Sequence, residues 1–291
     1  MEQSALISIG LPVSLFLIMM GMGLTLTLRD FKAAGTASWP LTYGTMLQVA
    51  ILPLVAFGIA IMLGLSAAMT VGLVLIAACP GGSTSNLFAF LGRGDVALSI
   101  ILTVVASLVV IVTLPFFVNW AMARVMDETV AFQLPVLETI ATLVVIIIVP
   151  VIIGMTIQHF APNFSAKAEK GVSVFGFVVM VAIILALAVQ VGDGAWGMIR
   201  EAGLAAALLN VAGIILGLLG GRFFGLTRQQ AFTVAVEVGI KNGMLGLTVA
   251  VTLLNSQEIS VASAVYSVMM FAFGLLMIAY GRVTRMDEVS Q

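Results

Sequence analysis

Cys79-Pro80-Gly81-Gly82-Ser83-Thr84-Ser85-Asn86 interrupts an apolar stretch running over 67–91, and Glu237-Val238-Gly239-Ile240-Lys241-Asn242-Gly243 interrupts another over about 229–254. From Ser66, fourteen residues lead to Pro80; from Thr227, fourteen lead to Lys241. A bilayer-spanning helix needs roughly 20 mostly apolar residues, so each interruption falls near mid-membrane. Unwound backbone at that depth is tolerated only where it is buried in protein or lines a cavity. One break alone reads as a packing kink. Two at matched positions read as a binding site, with exposed carbonyls for cations and half-helix N-termini for anions.

The likeness extends upstream, where Leu47-Gln48-Val49-Ala50 matches Leu209-Asn210-Val211-Ala212. Reading between charge clusters gives nine apolar stretches, at about 6–28, 38–63, 67–91, 95–123, 136–159, 171–191, 200–222, 229–254 and 259–281. The two matched pairs are five spans apart and run in opposite directions. The expectation is an all-α membrane protein of nine transmembrane helices, an inverted repeat of spans 1–4 against 6–9 with two crossing discontinuous helices.

Composition agrees. Of 291 residues, 62% are hydrophobic and 9% charged, and mean hydropathy is +1.22. A soluble domain carries about 25% charged residues, so lipid must surround most of this chain. The net charge of −1 gives no reason to expect nucleic acid, and the one cysteine, Cys79, excludes an internal disulfide framework. Twenty-nine glycines suit closely packed membrane helices. Met-Glu-Gln-Ser at the start lacks the positive region of a cleavable signal peptide.

Lys and Arg placement orients the spans. With the N-terminus outside, the inner side receives Arg29, Lys32, Arg93, Lys167, Lys170, Arg222, Arg228, Arg282 and Arg285, against Arg124 and Arg200 outside. The expected setting is a plasma or bacterial inner membrane, with the C-terminus cytoplasmic. Asn163-Phe164-Ser165 then faces inward, and reads as a chance sequon.

Among the acidic and basic residues, only Glu237 and Lys241 fall near mid-membrane. Each costs on the order of 2.5–3.5 kcal/mol there, which makes both functional candidates. On an unbroken helix the two would share a face and could pair; the bland reading is an ion pair that fixes register. Ser83, Thr84, Ser85 and Asn86 follow the first break, and Ser99 and Thr103 lie four apart in the fourth span. Hydroxyls, an amide oxygen, a carboxylate and free carbonyls suit a hard cation. No Cys/His cluster suits zinc, His159 sits at a helix end, and no catalytic triad or phosphate loop occurs, so no enzyme is expected.

The first motif, with Gly94-Asp95-Val96-Ala97-Leu98-Ser99 after it, and the second motif around Glu237 resemble the two signatures of the bile acid:sodium symporter family. The likeness covers nearly the whole chain and resembles a nine-helix form of that family. It implies a core domain (about 38–123 and 200–281) and a panel domain (about 6–28 and 136–191). It implies one Na+ site from Ser85, Asn86, Ser99, Thr103 and Glu237. A second family site uses Gln48, Glu237, backbone oxygens near Val238 and Ile240, and a glutamine where this chain has Lys241. An ammonium there would repel Na+, so Lys241 is expected to stand in for the second ion. A rival expectation is H+ coupling through Glu237 or Lys241.

The free amides near Ser83 and Thr84, and near Asn242 and Gly243, suit a carboxylate or sulfonate. The expected partners are a small organic anion and membrane lipid, with transport by core moving against panel. Two other classes compete. Arsenite efflux carriers of the same superfamily use a cysteine and a glutamate that Cys79 and Glu237 could mimic, and a non-transporting sensor is the third.

Overall fold

The structure, a computed structural model, describes residues 10–34, 38–126, 134–191 and 195–284. The first residues of the first expected span (6–9), and Arg285 of the inner charge set, lie outside the described residues. Among the described residues the chain is helical, without strands. We number the helices α1 (Gly10–Gly23), α2 (Leu28–Ala34), α3 (Trp39–Leu63), α4 (Ala67–Ala78), α5 (Ser83–Leu91), α6 (Val96–Val125), α7 (Val136–Phe160), α8 (Pro162–Val191), α9 (195–223), α10 (Arg228–Gly239), α11 (243–253) and α12 (Gln257–Val283).

Six segments among the described residues are long and apolar enough to cross a membrane: α3, α6, α7, most of α9, α10 taken with α11, and α12. The pair α4 and α5, bent by 64° at its break, makes a seventh. Helices α1 and α8 stand where the remaining two spans were expected.

The chain starts and stops its helices where local chemistry requires. Ser66 Oγ accepts from Met69 N at 3.3 Å to open α4. Thr227 and Gln230 exchange side-chain and backbone bonds to open α10, each side chain satisfying an amide that helix geometry leaves free. Gly64, in the left-handed region at φ 65°, closes α3. In α3 and α7 a five-residue π turn (Leu47–Ile51, Val144–Ile148) ends two residues before a proline, Pro53 and Pro150. Proline lacks the N–H and crowds the carbonyl four residues back, and the wider turn relieves both.

Helix α1 packs chiefly on α7 and α8, while α4 packs on α3, α6 and α12, and α9 on α10 and α12. Within the α10–α11 span the whole apolar window is buried, against 28% in α7. The span that carries Glu237 and Lys241 is therefore wrapped by protein, and the apolar outer face of helices such as α8 meets lipid: Val174 is 64% exposed and Leu185 61%.

The α5–α6 turn meets the start of α10 and the end of α12. Arg282 Nε donates to Leu91 O at 3.1 Å, and Gln229 Nε2 donates to Arg93 O at 3.5 Å. Trp39 Nε1 donates to Phe224 O beside Tyr43, an aromatic group of the kind that sits at the headgroup level. Ser165 of the sequon is buried, its hydroxyl donating to Leu24 O at 2.8 Å, which agrees with a chance match.

Candidate ion and substrate site

Helices α4 and α10 each run twelve residues and stop. Cys79 (φ −67°, ψ 150°) and Ile240 (φ −104°, ψ 104°) turn extended, and the two breaks meet, Asn242 N–H donating to Pro80 O at 2.8 Å. Side chains serve other groups that unwinding frees. Gly81 N–H donates to Gln48 Oε1 at 3.2 Å. Gly82 N–H donates to Ser85 Oγ at 3.2 Å, and Ser85 Oγ donates to Gly82 O at 2.7 Å. Tyr266 Oη, fully buried, donates to Gly239 O at 2.8 Å. At a depth without water, such partners are what makes a break tolerable. A Cβ on Gly81 would collide with Glu237 Oε2, and one on Gly243 with Ser267 Oγ, so a larger residue at either position forces those side chains to move.

Four of the five residues expected to share a cation site are joined by hydrogen bonds. Ser99 Oγ lies 2.5 Å from Glu237 Oε1 and 2.8 Å from Asn86 Oδ1. Thr103 Oγ1 lies 2.8 Å from Glu237 Oε2 and 3.3 Å from Asn86 Oδ1. Ser85 Oγ, the fifth, borders Gly81 on the side that faces Glu237. A hydroxyl has one proton, yet Ser99 and Thr103 each face two acceptors, and an ionised carboxylate only accepts. The cluster therefore holds more oxygen lone pairs than protons to share. With Ser85, Ser99 and Glu237 wholly buried, such a set fits a small, hard monovalent cation.

Register between the helices comes from Asp95 and Thr233. Asp95 N–H donates to Thr233 Oγ1 at 2.8 Å, and Asp95 Oδ1 caps α6 through Leu98 N–H at 3.0 Å. Ser99 lies one turn beyond Asp95, and Glu237 one turn beyond Thr233, so the lower rung fixes the upper. Thr233 and Tyr266 were not singled out in the sequence. The signal for Thr233 was its place, one helical turn before the carboxylate in the same span.

The second group of residues is arranged differently. Gln48 sits on the π turn of α3, fully buried, with its oxygen taken by Gly81 N–H. Val238 and Ile240 are buried where α10 ends. Because α10 stops at Gly239, Lys241 is not one turn above Glu237 on a common face. Its Nζ is buried, has no hydrogen-bond partner among the described residues, and lies within electrostatic reach of Cys79 and Glu237. The pairing that an unbroken helix would give is absent.

The expected anion-binding amides are partly committed. Asn242 N–H is used by Pro80, and Asn242 Oδ1 accepts from Leu245 N–H at 3.0 Å. Helix geometry leaves the first amides of α5, at Ser83 and Thr84, and of α11, at Gly243, without intrahelical acceptors. Ser83 and Thr84 are half-buried, whereas Asn242 and Gly243 are buried.

The sequence profile of the Sodium Bile acid symporter family matches residues 12–195. The chain belongs to that family. It is 31% identical over 279 residues to the "Uncharacterized sodium-dependent transporter YocS" of Bacillus subtilis, covering 94% of this chain and 83% of that protein. It is 27% identical over 282 residues to the human "Ileal sodium/bile acid cotransporter", covering 95% and 80%. It is 28% identical over 260 residues to the "Probable sodium/metabolite cotransporter BASS1, chloroplastic" of Arabidopsis thaliana, covering 88% of this chain and 62% of the plant protein. This member of the Sodium Bile acid symporter family is thus a multi-pass membrane transporter rather than an enzyme.

Proposed function

We propose that the protein is a secondary active carrier that moves a small organic monoanion together with one Na+. The observation that carries this reading is the buried oxygen cluster of Asn86, Ser99, Thr103 and Glu237, with Ser85 at its edge, assembled where two broken helices touch. It takes the Na+. Sodium in the names of the three relatives supports that ion; nothing in them favours H+.

Lys241 occupies the place of a second cation. With Na+ and carboxylate both bound, Glu237, Na+, Lys241 and the substrate sum to zero, as Glu237 and Lys241 do alone. With only one ligand bound, a net charge remains in a low-dielectric site, where it is costly. Fully loaded and fully empty carriers therefore cross over more readily than half-loaded ones, which is the condition for coupling.

The substrate carboxylate lies at the breaks, near Ser83, Thr84, Asn242 and Gly243, with its apolar body toward the α1, α7 and α8 group. The nine spans, the inverted repeat, a core of 38–123 and 200–281 against a panel of 6–28 and 136–191, and N-out orientation belong to the same reading. The packing of α1 on α7 and α8 supports the grouping, and the loops gathered around Arg93 and Arg282 support the orientation. Uptake of labelled organic anions into proteoliposomes, driven by a Na+ gradient, tests the proposal. Accumulation that needs inward Na+ supports it. Uptake driven equally by a pH gradient in sodium-free buffer, or no uptake of any anion, overturns it.

A further inference from the structure

Three fully or nearly buried side chains around the Cys79–Gly82 break carry donors with no acceptor among the described residues: Gln48 Nε2, Lys241 Nζ and Asn242 Nδ2. Their exposures are 0%, 1% and 6%. Each is tied to that break. Gln48 bonds Gly81, the Asn242 backbone bonds Pro80 and its Nδ2 approaches Gly82, and Lys241 lies within electrostatic reach of Cys79.

Amide flips do not remove the mismatch. Gln48 Oε1 is fixed by the N–H of Gly81, and Asn242 Oδ1 by the N–H of Leu245. Turning either amide would set donor against donor. The Lys241 ammonium offers three donors and no acceptor. A buried donor without a partner costs on the order of 1–3 kcal/mol, more when charged, so three at one break call for a common acceptor.

We infer that Gln48, Lys241 and Asn242 form a buried anion site that receives the carboxylate head of the transported solute. The inference rests on the carrier reading above and makes it more specific. Two sets of side chains of opposite character then meet the break. Glu237, Asn86, Ser99 and Thr103 supply an excess of acceptors, and Gln48, Lys241 and Asn242 an excess of donors. Where a second cation would sit, the chain places the Lys241 ammonium, and the Gln48 oxygen is already taken by Gly81. The fit is to a planar, two-oxygen anion, because the donors are spread over three side chains, and a carboxylate offers about four lone-pair directions to them. Chloride is the other anion such donors could hold.

Thermal unfolding of the full-length protein in detergent, in Tris sulfate with either Na+ or choline, tests this. The probes are acetate, propionate and benzoate, which keep one carboxylate and enlarge the apolar body, and chloride. Bound ligand appears as stabilisation. In Na+, the carboxylates are expected to raise the unfolding temperature saturably, and chloride to do so far less. Lys241→Met is expected to weaken carboxylate binding by about tenfold or more, the order of one hydrogen bond to a charged group, while keeping its Na+ response. Gln48→Leu, a second variant, weakens it in the same direction, and Lys241→Arg restores it. Carboxylate binding undiminished in both Lys241→Met and Gln48→Leu, a Na+ response with no carboxylate response in the wild type, or chloride equal to acetate, each overturns the inference and leaves sodium binding standing. A wild type that responds to neither Na+ nor any carboxylate overturns the carrier reading itself.

Discussion

Lys241→Gln changes the charge that the carrier moves. In the wild type the buried ammonium of Lys241 stays with the protein, and one Na+ travels with one monocarboxylate, so no net charge crosses. Glutamine removes that charge and supplies an amide oxygen at the position where the resembled family has one. A second Na+ can then bind beside Glu237, and two Na+ moving with one monocarboxylate carry one positive charge across per cycle. One elementary charge across roughly 100 mV is worth about 2.3 kcal/mol. Each 1.4 kcal/mol is tenfold, so accumulation of the anion should rise by about 50-fold at that potential, inside negative. Proteoliposomes with valinomycin-set potassium potentials and a labelled anion measure this directly. Wild-type accumulation should ignore the potential and depend on Na+ to first order. The Lys241→Gln variant should respond to the potential and depend on Na+ to second order. Wild-type accumulation that itself rises about tenfold or more with potential refutes the reasoning, as does a transporting variant that remains indifferent to it.

Other outcomes follow from the same geometry. Ser99→Ala and Thr103→Val each remove a hydroxyl bonded to the Glu237 carboxylate; losing a bond to a charged group costs about 1.5–3 kcal/mol, so Na+ affinity from thermal titration should fall by about tenfold or more. Gly81→Ala places a methyl against Glu237 Oε2 and should remove the Na+ response while Gly58→Ala, with open space around it, keeps the response. Cys79→Ser should retain anion transport; loss of transport with arsenite efflux in the wild type would favour the arsenite-type reading. Thr233→Val breaks the rung beneath Ser99 and Glu237, and should lower stability by about 1 kcal/mol with a smaller loss of Na+ affinity than Ser99→Ala.

Much of the site was legible because membrane burial makes polar residues costly, and costly residues stand out. Glu237, Ser99, Thr103 and Asn86 stood out as candidate oxygen ligands, and the structure joins them to one another by hydrogen bonds. Pro80-Gly81-Gly82 marked one break directly. The second has a weaker mark, since Ile240-Lys241-Asn242 has no proline and its two halves bend less than the 64° between α4 and α5. The spacing of Glu237 and Lys241 suggested a pair only for a continuous helix, and extended backbone at Ile240 removes that relation. Contacts between distant segments were not legible. The Asp95–Thr233 rung, the Tyr266 bond to Gly239 and the Gln48 bond to Gly81 each depend on which helix faces come together, and local periodicity does not carry that information.

The central claim is that one monovalent cation, and only one, is held among Glu237, Ser99, Thr103 and Asn86. Anomalous diffraction from crystals in which Tl+ replaces Na+ tests it most directly. A single peak between the Glu237 carboxylate and the hydroxyls of Ser99 and Thr103, with none beside Lys241, is the predicted result. A second peak between Gln48 and Lys241, or none near Glu237, would contradict it.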